Sequence, residues 1–364
     1  MMIIGCDFHP SGQQVFGIES ESGEVVMERW IAHGGEDVDQ FYAALPAGAV
    51  VGVETSGNML WFERKLAQYG HRLRIGDAAQ IQAHEVRKQK HDRRSAELIA
   101  RLLREGTFPD LRWVPSLAER DLRQLLLHRD KLVRMRTQVK NQLQHIALNQ
   151  GQQKKRQLWS KGGRELLEKL PLEPWTARRR DELLRWLDQL DQQCASLDEA
   201  VKHVAEANPE ARRLMTHPGI GPVISLGFAL TIGPIARFQR SRELVSYLGL
   251  NPSEQSSGER RRLGGISKQG SVFLRRLLIQ GAQTAVRGDA ELARQYRRLA
   301  AKQHRAVAKV MVARKLAVRL FWMQKTQQTY PELVRTRGSS SHPGVTKTVP
   351  LSERPASPQG PAVS

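Results

Sequence analysis

Three apolar runs crowd into the first 32 residues: "MIIGCDF", "QQVFGIES" and "EVVMERWI", separated only by "HPSG" and "ESG". Separated so closely, they read as hairpin-like strands that suit an antiparallel meander. The pattern then changes. "EDVDQFYAAL" has helical spacing, "AVVGVETSGNML" is a buried-type strand running into a helix, "HRLRIGD" is a further strand, and "HDRRSAELIARLLREG" is a helix. An antiparallel meander is thus followed by strands alternating with helices.

That is the element order of an α/β RNase H-like domain. Asp7 and Glu54 end buried strands, and Asp92 stands near the start of the last helix. If the strands are neighbours, their edges bring three carboxylates together. Such a cluster is costly without a divalent cation, Mg²⁺ or Mn²⁺, held by hard oxygen ligands. The competing reading is three ordinary acids in turns, and the spacing leaves both open.

The net charge of +20 on 364 residues points to a polyanionic partner, nucleic acid before an anionic membrane surface. No apolar stretch approaches the ~20 residues of a membrane helix, and "MMIIGCDFHP" reads as a strand rather than a leader. Cys6 and Cys194 form no metal or redox spacing, which suits a reducing cytoplasm.

Further on, "LAERDLRQLLLHRDKLVRMRTQVKNQLQHIAL" is one long amphipathic helix. Its Arg123, Arg129, Lys131, Arg134, Arg136 and Lys140 either grip a nucleic-acid backbone or form a solvated face. Trp159 sits in a basic loop, as a stacking platform or a packing anchor. Leu183, Leu187, Leu190, Cys194, Leu197, Val201 and Val204 alternate four and three apart. This is a short coiled-coil seam whose partner is another helix of the chain or a second copy. "HPGIGPVISLG" has the look of a helix-hairpin-helix element. Gly219 and Gly221 either admit a phosphate to the next helix N-terminus or allow tight helix packing.

The stretch "SEQSSGERRRLGGISKQG" holds several serines beside Arg260, Arg261, Arg262 and Lys268, and Arg275 and Arg276 follow in a helix. A serine hydroxyl becomes a nucleophile only when its proton is removed and its target polarised. Arginines serve the second need by holding phosphate oxygens. Glu254 and Glu259 are local candidates for a base. A loop that only grips phosphate has the same composition, and nothing local singles out one serine.

Together these segments carry a resemblance. "HPGIGPVISL", "RFQRSRELVSYLGLNPSEQSSG" and "RRLGGISKQGSVFLRRLLIQGA" resemble the C-terminal domain of insertion-sequence-110-type transposases, in the form of the 1111-type subgroup. "IIGCDFHP", "VVGVETSG" and "KQKHDRRSAELIARLL" resemble that family's Holliday-junction-resolvase-like (RuvC-like) domain. The resemblance implies an RNA-guided DNA recombinase that cuts and rejoins DNA through a phosphoserine link. It implies a bridge RNA pairing with target and donor double-stranded DNA, and a homo-tetramer whose sites combine the carboxylate domain of one subunit with the serine domain of another. The serine before the glycine of the motif is Ser257. Of the family's four acids, Asp7, Glu54 and Asp92 match the first three, as Mg²⁺ ligands with Mn²⁺ as the alternative. The fourth position is Ser95, and Glu97 lies off that helix face. Ser95 then holds a metal-bound water, or another acid arrives from elsewhere, or the site is impaired.

The expected organisation is a RuvC-like metal domain over 1–110, a basic helix and coiled-coil segment over 111–208, a mostly helical serine transposase domain over 209–330, and a disordered tail over 331–364. A nucleoid-associated cytoplasmic location follows from the reading. Its rivals are a metal-dependent junction nuclease and a catalytically impaired nucleic-acid-binding remnant.

Overall fold

The computed structural model describes residues 1–55, 59–84, 91–153, 157–254 and 262–339. The chain divides into two compact units, Met1–Val114 and Pro115–Ser364.

In the first unit β1 (Met2–Phe8), β2 (Gly12–Glu19) and β3 (Val25–Ala32) are followed by α1 (Asp37–Ala43), β4 (Val50–Glu54), α2 (Leu60–Gln68), β5 (Arg72–Gly76), α3 (Ala78–Ala83) and α4 (Asp92–Arg104). The strands form one sheet in the order β3-β2-β1-β4-β5. The hairpin pairs are antiparallel, and the β1–β4 and β4–β5 pairs are parallel, as their connector lengths require.

Pleating sorts the side chains to two faces. Ile4, Cys6, Val51 and Val53 join Val38, Tyr42, Phe62 and Leu66 in a core beneath α1 and α2. Ile3 and Val50 face the other way, with Ala96, Ile99, Ala100 and Leu103 of α4. On that second face Gly5 and Gly52 set how closely α4 approaches. A Cβ at Gly5 would lie 2.0 Å from the Ala96 carbonyl oxygen, and one at Gly52 would lie 2.5 Å from Leu103 Cδ1. The bare backbone at these two positions lets the helix rest directly on β1 and β4.

The second unit is mostly helical. It runs through α5 (Leu117–Asn149), α6 (Lys161–Glu168), α7 (Pro174–Ala207), α8 (Pro209–Leu214), α9 (Pro222–Ile232) and α10 (Ser241–Tyr247). A small hairpin, β6 (Pro252–Glu254) and β7 (Leu263–Ile266), precedes α11 (Val272–Gly288), α12 (Ala290–Ala300), α13 (Arg305–Lys325) and α14 (Tyr330–Ser339). Ser116 and Glu119 start α5 with a reciprocal capping box, which satisfies two orphan backbone donors.

The seven-residue stripe of α7 closes on helices of its own chain. Leu183, Leu187, Leu190 and Cys194 pack with Leu132, Val139, Leu143 and Ile146 of α5. Val201 and Val204 pack with Leu126 of α5 and with Leu226 and Leu230 of α9. Burial of this stripe therefore needs no second copy.

Most of the cations named on α5 are also engaged within the unit. Arg134 pairs with Asp130 at 2.7 Å, Arg136 with Asp191 at 3.2 Å, and Arg129 with Asp198. Arg123 donates to the Leu230 carbonyl, and Lys140 stands 5.2 Å over the Trp159 ring. This helix is laced to its neighbours along its charged side, and Trp159 is a packing anchor. The expected disordered tail is corrected in part. Its first residues form α14, with Leu333 buried, while residues 340–364 lie outside the described ones.

Among the described residues no helix is long and apolar enough to cross a membrane. Cys6 and Cys194 are both buried free thiols.

Candidate metal centre

Strand β1 ends in Asp7-Phe8-His9, and alternate strand residues share a face. Phe8 leans on the α1/α2 core, leaving Asp7 on the α4 face with Gly5. His9 opens a four-residue turn closed by its own N–H donating to the Gly12 carbonyl at 2.9 Å, with Pro10 supplying the fixed φ at the second position. Gly12 is needed there, because a Cβ would lie 2.4 Å from the Trp30 ring. That ring stands 6.1 Å, centroid to centroid, from the His9 imidazole.

Asp92 arrives from the other side, in the first turn of α4, where the helix dipole favours a carboxylate. Close seating of α4 over Gly5 and Gly52 fixes its reach. A 2.9 Å ion pair between Arg93 and Glu28 pins the same end to β3. His9 Nε2 lies 3.6 Å from Asp7 Oδ1 and 3.5 Å from Asp92 Oδ2. One donor atom from each of Asp7, His9 and Asp92 lies within 4.8 Å of the others. Ligands about 2.1 Å from a common cation stand about 3 to 4 Å apart, so small side-chain rotations would bring this set around one ion. The Asp7 carboxylate is the sheltered one at 13% exposure, and Asp92, at 54%, is open to solvent and to an incoming ligand.

This group differs from the expected Asp7–Glu54–Asp92 cluster. Glu54 ends β4 one step beyond the Cys6–Val53 pair, on the same face as Gly52 and Asp7. It stands outside the compact set, and His9 occupies the third place. Ser95 is buried, and its hydroxyl is directed at the His91 carbonyl of its own helix at 3.5 Å. His9 escaped the sequence reading although the Asp-x-His spacing, two residues apart on a strand, was the available signal. Gly5 and Gly52 escaped it too.

Ser257, Arg260 and Arg261 lie outside the described residues. What is described are the residues on either side of them. β6 and β7 pair through Pro252–Ile266 and Glu254–Leu263. Gly249, at φ +64°, leaves no room for a side chain, since a Cβ would meet the Gln269 carbonyl at 2.1 Å. Two other serines of the segment have structural work: Ser253 Oγ donates to the Gly265 carbonyl at 3.0 Å, and Ser271 caps α11. Arg262 and Lys268 are exposed, Lys268 with a left-handed φ of 59°.

Arg275 requires correction as a phosphate contact. It is buried, and its guanidinium donates to the carbonyls of Leu248, Gln269 and Gly270, tying those residues to α11. Arg276 is half-exposed and pairs with the buried Asp130 of α5. Gly219, at φ +83°, packs on the α11 backbone, where a Cβ would fall 2.4 Å from the Ala285 nitrogen. This is the tight-packing alternative of the sequence reading. Gly221 precedes α9 with open space beside its Cα.

Two family models match. Residues 4–150 match the DEDD-type model described as "Transposase", and residues 211–297 match "Transposase IS116/IS110/IS902 family". The transposase for insertion sequence element IS1111A of Coxiella burnetii is 30% identical over 296 residues, 78% of each chain. The chain belongs to the IS110 transposase family. A "probable family 20 transposase" of Pseudomonas aeruginosa is 30% identical over 78% of this chain and 84% of its own. The transposase for IS1328 of Yersinia enterocolitica is 30% identical over 80% and 87%.

As an IS110-family transposase, this chain is a DNA-cleaving and rejoining enzyme. Its N-terminal α/β unit with a mixed sheet and its largely helical remainder fit a DEDD nuclease-like fold. The DEDD type points to a divalent cation, and the Asp7–His9–Asp92 group is a candidate site with the right donors.

Proposed function

We propose that this IS110-family transposase is an RNA-guided recombinase that cuts and rejoins DNA through a phosphoserine intermediate. The carrying observation is the convergence of Asp7 and Asp92, from the ends of β1 and α4, on one small donor set. It gives the chain a place for a cation beside a strand edge.

Asp7 and Asp92, with Glu54 at the adjacent edge, would hold Mg²⁺ or Mn²⁺. When bound, such an ion polarises a phosphoryl oxygen and favours deprotonation of a nearby nucleophile. The Ser257 oxygen loses its proton and bonds to the scissile phosphorus. The ester bond to the departing deoxyribose oxygen breaks, and that oxygen takes up a proton. Reversal with a second DNA end rejoins the strands without an external energy source. Arg260, Arg261, Arg262 and Lys268 hold phosphate oxygens. A bridge RNA encoded by the element pairs with target and donor DNA, so the protein grips backbones. That division of labour is supported by the net charge of +20. The working assembly in this proposal is a tetramer.

The test uses full-length protein, cognate RNA and end-labelled DNA, resolved under denaturing conditions. A protein–DNA adduct that disappears in Ser257→Ala is expected. Metal-dependent strand cleavage without any adduct would instead identify a junction nuclease whose serine loop only binds.

A further inference from the structure

We infer that His9 is itself a ligand of the bound cation, supplying through Nε2 the donor that Ser95 does not. This rests on the metal reading of the Asp7–Asp92 edge given above.

The argument starts from Ser95. A serine one helical turn after Asp92 could contribute a weak oxygen donor, but this side chain is buried and its hydroxyl turns to the His91 carbonyl. No other acid joins Asp7 and Asp92 among the described residues; a histidine does. His9 Nε2 stands almost equidistant from the two carboxylates, at 3.6 and 3.5 Å. Those separations are too long for strong hydrogen bonds and suit atoms arranged around a common centre. The ring is placed by backbone geometry: the His9–Gly12 turn and Pro10 fix its Cα, and Trp30 flanks it. A ligand positioned this way loses little freedom on binding.

The donor set then carries two carboxylates and one neutral imidazole. Replacing an oxygen donor by imidazole nitrogen makes a site less suited to Mg²⁺, which takes hard oxygens, and better suited to Mn²⁺ and later transition ions. His9 therefore tunes the metal choice of the site.

Full-length protein is titrated with Mn²⁺ and followed by electron spin resonance, with pulsed detection of nitrogen bound directly to the ion. The wild-type chain is expected to show that nitrogen coupling and to hold Mn²⁺ more tightly than Mg²⁺. His9→Ala is expected to lose the coupling and bind Mn²⁺ about tenfold or more weakly, with an unchanged melting curve. His9→Asp is expected to lose the coupling, keep metal binding and narrow the gap between Mn²⁺ and Mg²⁺. Bound Mn²⁺ with no nitrogen coupling, or coupling that persists in His9→Ala, overturns the assignment and leaves the metal site standing. Absence of bound Mn²⁺ in the wild type overturns both.

Discussion

Each unit brings two acids together with a histidine and an aromatic ring, and the two groups are built oppositely. In the second unit Asp289 is sealed, at 3% exposure, against Arg319, at 6%. Asp289 also accepts from the Leu292 N–H at 2.7 Å and from the Tyr330 hydroxyl, while Arg319 reaches Glu291 at 2.6 Å. Burial alone would raise the Asp289 carboxyl, but the Leu292 N–H, Tyr330 and Arg319 outweigh it and hold it below the usual carboxylate range. In the first unit Asp7 and Asp92 face each other across His9, and Asp92 is open to water. One cluster is built around a guanidinium of its own chain, and the other is a candidate site for a divalent cation. Acids that gather around a buried guanidinium are committed to the fold, whereas a carboxylate as open to solvent as Asp92 is accessible to an incoming ligand.

The sharpest way to break this contrast is to neutralise one acid of each kind. Asp7→Asn is expected to lower DNA strand cleavage by about 1,000-fold, equivalent to about 4 kcal/mol of lost transition-state stabilisation. Its melting temperature should stay close to wild type, because asparagine keeps the size and shape of the side chain. Cleavage assays beside thermal melts check both halves. A variant that melts early would place Asp7 with the structural acids.

Arg319→Ala should behave in the reverse way. It leaves Asp289 buried without its cation, and removing one partner of such a pair costs about 3 to 5 kcal/mol. Denaturant unfolding is the measurement. Stability within about 0.5 kcal/mol of wild type would mean that Asp289 is not held by its arginine, and the comparison would collapse.

The sequence pointed to two acids of one cluster and hid the other cluster for a physical reason. Asp7, Glu54 and Asp92 lie at ends of periodic elements, so they could be singled out as candidates, but Glu54 stands outside the compact set that Asp7 and Asp92 form with His9. What could not be inferred is how far α4 descends on the sheet, because this depends on the missing side chains of Gly5 and Gly52. That descent puts Asp92 beside His9. The Asp289–Arg319–Tyr330 network joins residues up to 41 positions apart on three helices, and no periodicity reports such a meeting. Arg275 misled for a related reason: adjacent arginines at the start of a helix look alike in sequence, yet a turn of about 100° per residue sends one to the loop carbonyls and the other to Asp130. The α7 stripe was legible as a stripe, but its partner was not, since an apolar face does not encode whose helix covers it.

The two histidines offer the finest test of the contrast. His9 is partly exposed between carboxylates, whereas His217 is 1% exposed, lies 4.2 Å from the Tyr330 ring and donates from Nδ1 to the Pro218 carbonyl. Burial pushes the His217 pKa down to about 4, with nearby Arg319 adding to the shift and the Pro218 carbonyl and Asp289 opposing it. Between the ordinary value of 6.5 and about 4 the unfolded chain binds a proton that the folded chain refuses. The resulting stability is complete above 6.5 and drains away as pH falls toward about 4, up to a ceiling of about 3 kcal/mol. His217→Gln is expected to flatten the decline of melting temperature across that window, by a smaller effect than either substitution above. His9→Gln is expected to leave the melting temperature at neutral pH close to wild type, because the side chain is partly exposed and is not part of the buried core. A His9→Gln variant that melts well below wild type at neutral pH would show that His9 is as deeply committed to the fold as His217, and its place among ligands rather than structural groups would be lost.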